Sequence, residues 1–104
     1  MAKSRYAIEM DYKQALEKAD ELDDIAEDMA NLANNSFQET LETLNENWKG
    51  DNATKYVNKG VLLQENICST AGDLQSVAET VRSIAERIYR AEIRAWEVAH
   101  RRDY

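Results

Sequence analysis

The sequence predicts an all-α protein, a single domain over residues 1–104 that folds as an antiparallel two-helix hairpin and dimerises into a four-helix bundle. Three observations predict this class. The chain has no proline and only three glycines, whereas sheets of short strands need many turn residues. Apolar residues recur at helical spacing in both halves. One short central stretch, NENWKGDNA, carries turn residues. The predicted elements are a first helix over about 7–48, a turn over about 49–51 and a second helix over about 52–100.

The first helix is predicted by apolar residues that follow one another at spacings of mostly three and four. The stretch NLANNSF, from 31 to 37, contains several residues of weak helix propensity, so we expect a slight irregularity there but no break. The apolar positions of this helix are Tyr12, Ala15, Leu16, Ala19, Leu22, Ile25, Ala26, Met29, Leu32, Ala33, Phe37, Leu41, Leu44 and Trp48.

The predicted turn is defined by a glycine with charged neighbours. Gly50 adopts a left-handed backbone at little cost, which suits the position after a helix end. Lys49 places a positive charge near the negative end of the first helix. Asp51 or Asn52 can cap the second helix by accepting bonds from its free N–H groups. We expect Trp48 to lie in the last turn of the first helix and to cover the end of the hairpin.

The second helix is predicted by a heptad pattern that keeps one register from Ala53 to Val98. Position a begins at Ala53 and position d at Tyr56, and twelve of these fourteen positions are apolar. Position e, which begins at Val57, adds small residues that allow a second helix to approach closely. The predicted pairing face consists of Ile67, Leu74, Val77, Val81, Ile84 and Ile88.

The width of the apolar stripes predicts pairing between molecules. In a hairpin each helix has one neighbour, so a wide stripe on both helices leaves apolar surface in water. A second hairpin is the simplest cover, and it completes a four-helix bundle. We therefore expect an obligate or near-obligate dimer.

Composition and charge disfavour several other classes. The net charge of −7 opposes binding to phosphate backbones, so we expect no nucleic acid partner. No segment approaches about 18 consecutive apolar residues, so we expect no membrane span. The start of the sequence has no apolar core of the signal-peptide type. Nothing resembles an activated nucleophile or a phosphate-binding loop, so we expect neither an enzyme nor a cofactor.

Two polar features are candidate sites. Glu97 and His100 form an E-x-x-H spacing, but they fall on the predicted outer face, so we expect no metal there. The acidic stretch over residues 20–28 is expected to face residues 72–80, which contain no base. A solvated helix face is the simpler interpretation of this stretch, and docking of a basic partner is the alternative.

The tripeptide Trp48-Lys49-Gly50 at the central turn, between two long helices in a chain of about one hundred residues, resembles the WXG family of small type VII secretion substrates. This is the early-secreted-antigen-like family of Gram-positive bacteria and mycobacteria. The resemblance covers essentially the whole chain. It implies a helical hairpin that pairs as a homodimer or a heterodimer and is exported folded by a membrane ATPase-driven machine. It also implies a role as effector, machinery component or escort of a larger LXG-type toxin.

The C-terminal part departs from the family pattern, which often includes Tyr-x-x-x-Asp/Glu near the end of the second helix. Tyr89 is followed four residues later by Ile93, and the acid Glu92 comes one position early. Either Tyr89, Glu92 and Trp96 form a variant export signal or the partner supplies the signal, which favours an escort. Trp96 lies at position b, so we expect it to point away from the contact within the chain. The resemblance implies a cytoplasmic chain that is secreted without a cleaved signal peptide. An intracellular helical adaptor with no secretion role is the alternative.

Overall fold

The computed structural model describes residues 3–101, and it confirms the all-α class. Within this range only Lys3, Ser4 and residues 48–50 lie outside helices, and there is no strand. The helical elements are α1 (Arg5–Asn31), a π-helical segment (Leu32–Phe37), α2 (Gln38–Asn47) and α3 (Asp51–Arg101).

A serine cap starts α1. The Ser4 hydroxyl oxygen accepts a hydrogen bond from the Ala7 backbone N–H at 3.1 Å, and the Ser4 carbonyl accepts one from the Ile8 N–H at 3.0 Å. The first N–H groups of a helix have no partner within the helix, and serine is among the residues that satisfy them best. The cap therefore explains why α1 begins directly after Ser4.

The irregularity expected over 31–37 is confirmed, because residues 32–37 form a π-helix. The buried residues Ala26, Ala33 and Leu41 show its effect, since they are seven and then eight residues apart. An α-helix returns to nearly the same face after seven residues, whereas a helix that contains a wider π-helical turn needs one more residue to return to it. The π-helix thus keeps Leu41 on the buried face of its helix.

The turn between α2 and α3 consists of residues 48–50. Trp48 has an extended backbone, with φ −123° and ψ 115°, so it lies just past α2 rather than in its last turn. The Lys49 ammonium donates to the Asn45 carbonyl at 2.9 Å, which satisfies a free acceptor at the helix end. Gly50 has φ +113°, and its carbonyl accepts the Thr54 N–H at 3.1 Å in the first turn of α3. An extended residue followed by a positive-φ glycine ends one helix and starts the next.

Two glycine substitutions test whether the turn needs the positive φ of Gly50. We expect Gly50→Ala to lower the free energy of unfolding by about 1–2 kcal/mol, because alanine is strained at positive φ. Gly72→Ala is the matched control, because a Cβ meets nothing within 4 Å at either position and Gly72 lies inside α3. It should raise stability by up to about 1 kcal/mol. Urea denaturation of both variants measures the difference, and a Gly50→Ala protein as stable as the Gly72→Ala protein would contradict it.

The chain divides into two compact units, and α1 and α3 contribute to both. The terminal unit contains the described residues 3–22 and 76–101, and the turn unit contains residues 23–75.

In the terminal unit the two segments run in opposite directions. The Tyr12 and Tyr89 rings stack with centroids 4.6 Å apart, and Asp20 pairs with Arg82 at 2.8 Å. The buried residues of this unit are small except for one isoleucine. They are Ile8, Ala19, Ala78 and Ala85.

In the turn unit the two segments also run in opposite directions. The Trp48 and Tyr56 rings stack with centroids 5.5 Å apart, and Leu41 fills the space above Gly60, where any Cβ would collide with its side chain. The buried residues of this unit are Ala26, Ala33, Leu41, Ala53 and Ala71.

In the terminal unit the contact is centred on position e of α3, where Ala78 and Ala85 are buried, whereas in the turn unit Ala53 and Gly60 at position a contribute as well as Ala71 at position e. Ala71, Ala78 and Ala85 are buried at intervals of seven residues. Small side chains at the centre let two helices approach closely. Because no large side chain in residues 3–101 is fully buried, this contact removes little apolar surface from water.

Candidate interaction surfaces

The predicted pairing face lies beside the alanine contact and is partly open. Val77, Ile84 and Ile88 are 50%, 43% and 52% exposed. The other three predicted members lie at position a, next to the alanine contact, and are half-buried; they are Ile67, Leu74 and Val81. Further large apolar side chains at position d of α3 are exposed as well, namely Tyr56, Leu63 and Val98. Side chains seven residues apart share one face of a helix, so position d forms an apolar stripe along α3.

The turn motif forms a half-exposed aromatic stack. Trp48 stacks on Tyr56 with an angle of 23° between the rings, and the Lys59 ammonium lies 5.7 Å from the Tyr56 ring centroid. Trp48 remains 42% exposed, so its indole covers Tyr56 and leaves a large surface in water. Asp51 is the first residue of α3, where the helix dipole favours a carboxylate. The turn therefore presents an aromatic surface next to charged groups.

Tyr89 and Glu92, two of the three predicted signal residues, face the N-terminal part of α1. The Tyr89 ring stacks on Tyr12 at 24°, and the Glu92 carboxylate pairs with the Lys3 ammonium at 3.1 Å. Lys3 also donates to Asp11 at 2.8 Å. The hydrogen bonds to Asp11 and then to Glu92 raise the pKa of Lys3, so its charge is retained throughout the neutral range.

Trp96, the third predicted signal residue, was expected to point away from the intramolecular contact, and this was wrong. The Arg5 guanidinium lies 5.3 Å from the Trp96 ring centroid, and Trp96 is half-buried. The reason is the position of the contact: position b, which Trp96 occupies, flanks position e and not position d. His100 stacks on the same indole at 3.9 Å, and its Nδ1 lies 2.8 Å from the Trp96 carbonyl oxygen.

A small cleft of about 240 Å³ opens in the terminal unit beside the Lys3 ion pairs. Its walls are mostly apolar, and one end carries an ammonium between two carboxylates. The residues that define it are Ile8, Asp11, Tyr12, Ile88, Tyr89 and Glu92. A cleft of this kind suits an apolar or aromatic side chain that lies next to a charge.

The acidic stretch has a basic partner that sequence reasoning missed. Asp20 accepts a hydrogen bond from Arg82 at 2.8 Å, so the expectation of no facing base was wrong. Arg82 lies just beyond the range 72–80, and its long side chain reaches the carboxylate. Across residues 3–101 no three His, Cys, Asp or Glu side chains are grouped so that they could hold a metal ion. In the same part of the chain no helix is long and apolar enough to cross a membrane.

Sequence reasoning also missed Gln64, which lies at position e among small apolar residues. Its side-chain amide donates to the Ala33 carbonyl and to Gln38 Oε1, both at 2.8 Å. A π-turn displaces backbone carbonyls from their usual partners, and a glutamine from the neighbouring helix can satisfy one of them. A polar residue between Val57 and Ala71 at position e, opposite the weak helix formers 31–37, was the available signal.

Comparison of the chain with protein-family models, with curated proteins and with solved structures finds no match. The likeness to the WXG family therefore rests on the Trp48-Lys49-Gly50 tripeptide and on the helices that flank it. Within residues 3–101, large apolar side chains of α3 and the aromatic stack at the turn remain exposed to solvent.

Proposed function

We propose that the chain is a small, non-catalytic helical protein of the type VII secretion route, either substrate or escort. It acts as an antiparallel hairpin that pairs with a second hairpin in a four-helix bundle. Its partner is another copy, a related small protein or the helical part of a larger LXG-type toxin, and the pair contributes to export targeting by the membrane ATPase. The observation that carries the proposal is an alanine contact within the chain next to a stripe of exposed large apolar side chains.

The alanine contact supports pairing for an energetic reason. A fully buried leucine, isoleucine or valine stabilises by about 1.5–3 kcal/mol, whereas an alanine methyl group contributes far less. The chain places alanines at the internal contact and leaves Val77, Ile84 and Ile88 about half exposed. A second hairpin over these side chains would supply the apolar burial that the isolated chain lacks.

The turn motif supports the secretion route. Trp48 and Gly50 flank Lys49 at the one break in helix between residues 5 and 101, which is the position that the family resemblance requires. The half-exposed indole is available to a partner or to the export machine. Since Tyr89 and Glu92 depart from the family spacing, an escort that shares a signal with its partner fits better than a self-sufficient substrate.

An export assay tests this function. In a bacterium with a type VII machine, the chain co-expressed with its partner should reach the medium only when the membrane ATPase is intact. Trp48→Ala should lower the exported amount about tenfold or more, the effect of losing one contact residue of this size. Tyr6→Ala is the matched control, because it removes an exposed aromatic side chain that lies in neither the turn nor the stripe, and it should leave export unchanged.

Three outcomes separate the alternatives in that assay. Equal export without the ATPase would refute the type VII route. Retention inside the cell in a complex with a helical protein would favour the intracellular adaptor. Efficient export of the chain alone would exclude an escort and leave a self-sufficient substrate.

A further inference from the structure

We propose that Lys3 and Arg5 occupy a site on their own chain that a partner protein can bind. They cover a cation-binding face on α3 that is formed by Glu92 and Trp96. The partner that binds this face is a protein segment with two closely spaced basic residues. The inference goes beyond the proposed function, because it concerns a second contact surface and depends on neither export nor pairing.

The two face residues form one site because they are four residues apart on one side of α3. Glu92 offers a carboxylate, which pairs with the Lys3 ammonium at 3.1 Å. Trp96 offers an indole face, with the Arg5 guanidinium 5.3 Å from its centroid. A carboxylate and an aromatic face are both ligands for cations, so a site built from them selects a basic segment.

The charges around the face favour a bound cation. Lys3 lies between Asp11 and Glu92 and pairs with both. If Lys3 moved away, two carboxylates would remain together at the end of the apolar cleft without a counter-charge. Such a pair attracts another cation strongly, and the chain as a whole carries a net charge of −7.

Lys3 and Arg5 are placed so that a partner can displace them from the Glu92 and Trp96 face. Both residues precede Ile8, the buried residue that anchors this end of α1. Arg5 is the first residue of α1. Their side chains are about half exposed, and exposed ion pairs are individually weak and screened by salt. Arg5 also pairs with Glu9 at 3.2 Å, so it keeps a partner after release.

The face adjoins the predicted pairing face at Ile88, which lines the same cleft as Glu92. Glu92 lies at position e and Trp96 at position b, whereas the exposed apolar stripe follows position d on the other side of position a.

A nuclear magnetic resonance titration of the purified full chain tests the proposal. The probe is the acetylated, amidated tetrapeptide Lys-Ser-Arg-Tyr, and the signal is the Trp96 indole N–H, assigned with Trp96→Phe. The chain with both Lys3→Ser and Arg5→Ser should bind this peptide about tenfold or more tightly than the wild type, because its own residues no longer compete at high effective concentration.

Three matched controls make the test specific. The double variant Lys13→Ser and Lys18→Ser removes the same charge from exposed positions of α1 and should behave like the wild type. The neutral peptide Gln-Ser-Gln-Tyr should not shift the indole signal. Adding Glu92→Gln to the variant that lacks Lys3 and Arg5 should remove the gain.

The proposal is overturned if the Lys3 and Arg5 variant binds the basic peptide no better than the wild type, or if neither protein binds it. A shift of equal size with the neutral peptide also overturns it, because the face would then not select cations. None of these results bears on export, so a failure here is distinct from a failure of the proposed function.

Discussion

Ala78→Leu is expected to lower the free energy of unfolding by about 3 kcal/mol, at the upper end of the usual cost of overpacking. Ala78 is fully buried where α1 and α3 meet in the terminal unit. A leucine there adds three carbon atoms at the centre of a contact built from methyl groups, so the helices must separate or the side chain must strain. At about 4–8 °C for each kcal/mol, the melting temperature should fall by more than 10 °C.

The matched control for this variant is Ser83→Leu. Ser83 is exposed on the same helix, so the added leucine meets solvent there. Exposed substitutions usually change stability by less than about 0.5 kcal/mol. Urea denaturation followed by circular dichroism, at one protein concentration for all samples, measures both variants. Equal loss in the two would show that Ala78 does not lie at a close helix contact.

The double variant Ile84→Asp and Ile88→Asp is expected to weaken the proposed dimerisation about 1000-fold. The two side chains are four residues apart, on the same side of α3, and about half exposed in the single chain. A central interface side chain often contributes about 2 kcal/mol or more, so two of them correspond to about three orders of magnitude in the dissociation constant. Aspartate adds the cost of burying an unpaired carboxylate.

Sedimentation velocity over a range of micromolar concentrations measures this effect. The control is Ser76→Asp with Ser83→Asp, which adds the same charge to exposed positions away from the stripe. This control should pair like the wild type. A wild-type chain that sediments as a folded monomer throughout the range would refute pairing itself, whatever the variants do.

Much of the helical architecture was predictable, because it depends on residues close together in sequence. The weak helix formers of NLANNSF predicted the irregularity that the structure shows as a π-helix. Gly50 was expected to adopt a left-handed backbone, and its φ of +113° lies at positive values. Both features follow from the conformational preferences of single residues, which act before any tertiary contact forms.

The choice of contact face was not predictable from the heptad pattern. Positions a, d and e of α3 are mostly apolar, so periodicity defines a broad stripe but does not say which of the three positions meets the neighbouring segment. In the terminal unit the contact is centred on position e, because Ala78 and Ala85 permit close approach there. Because position b flanks position e, Trp96 lies at the edge of the contact rather than on the expected outer surface, and Arg5 covers it.

The sequence by itself determined that the chain is helical, where the turn lies and that apolar surface exceeds what one internal contact can cover. Helical hydrogen bonds join residues four apart, and side-chain periodicity repeats every seven, so local sequence contains this information. Only the tertiary structure decided that alanines form the contact and that Lys3 reaches Glu92. Those partners are far apart along the chain, and they meet because two segments run in opposite directions in the terminal unit at a register that packing selects.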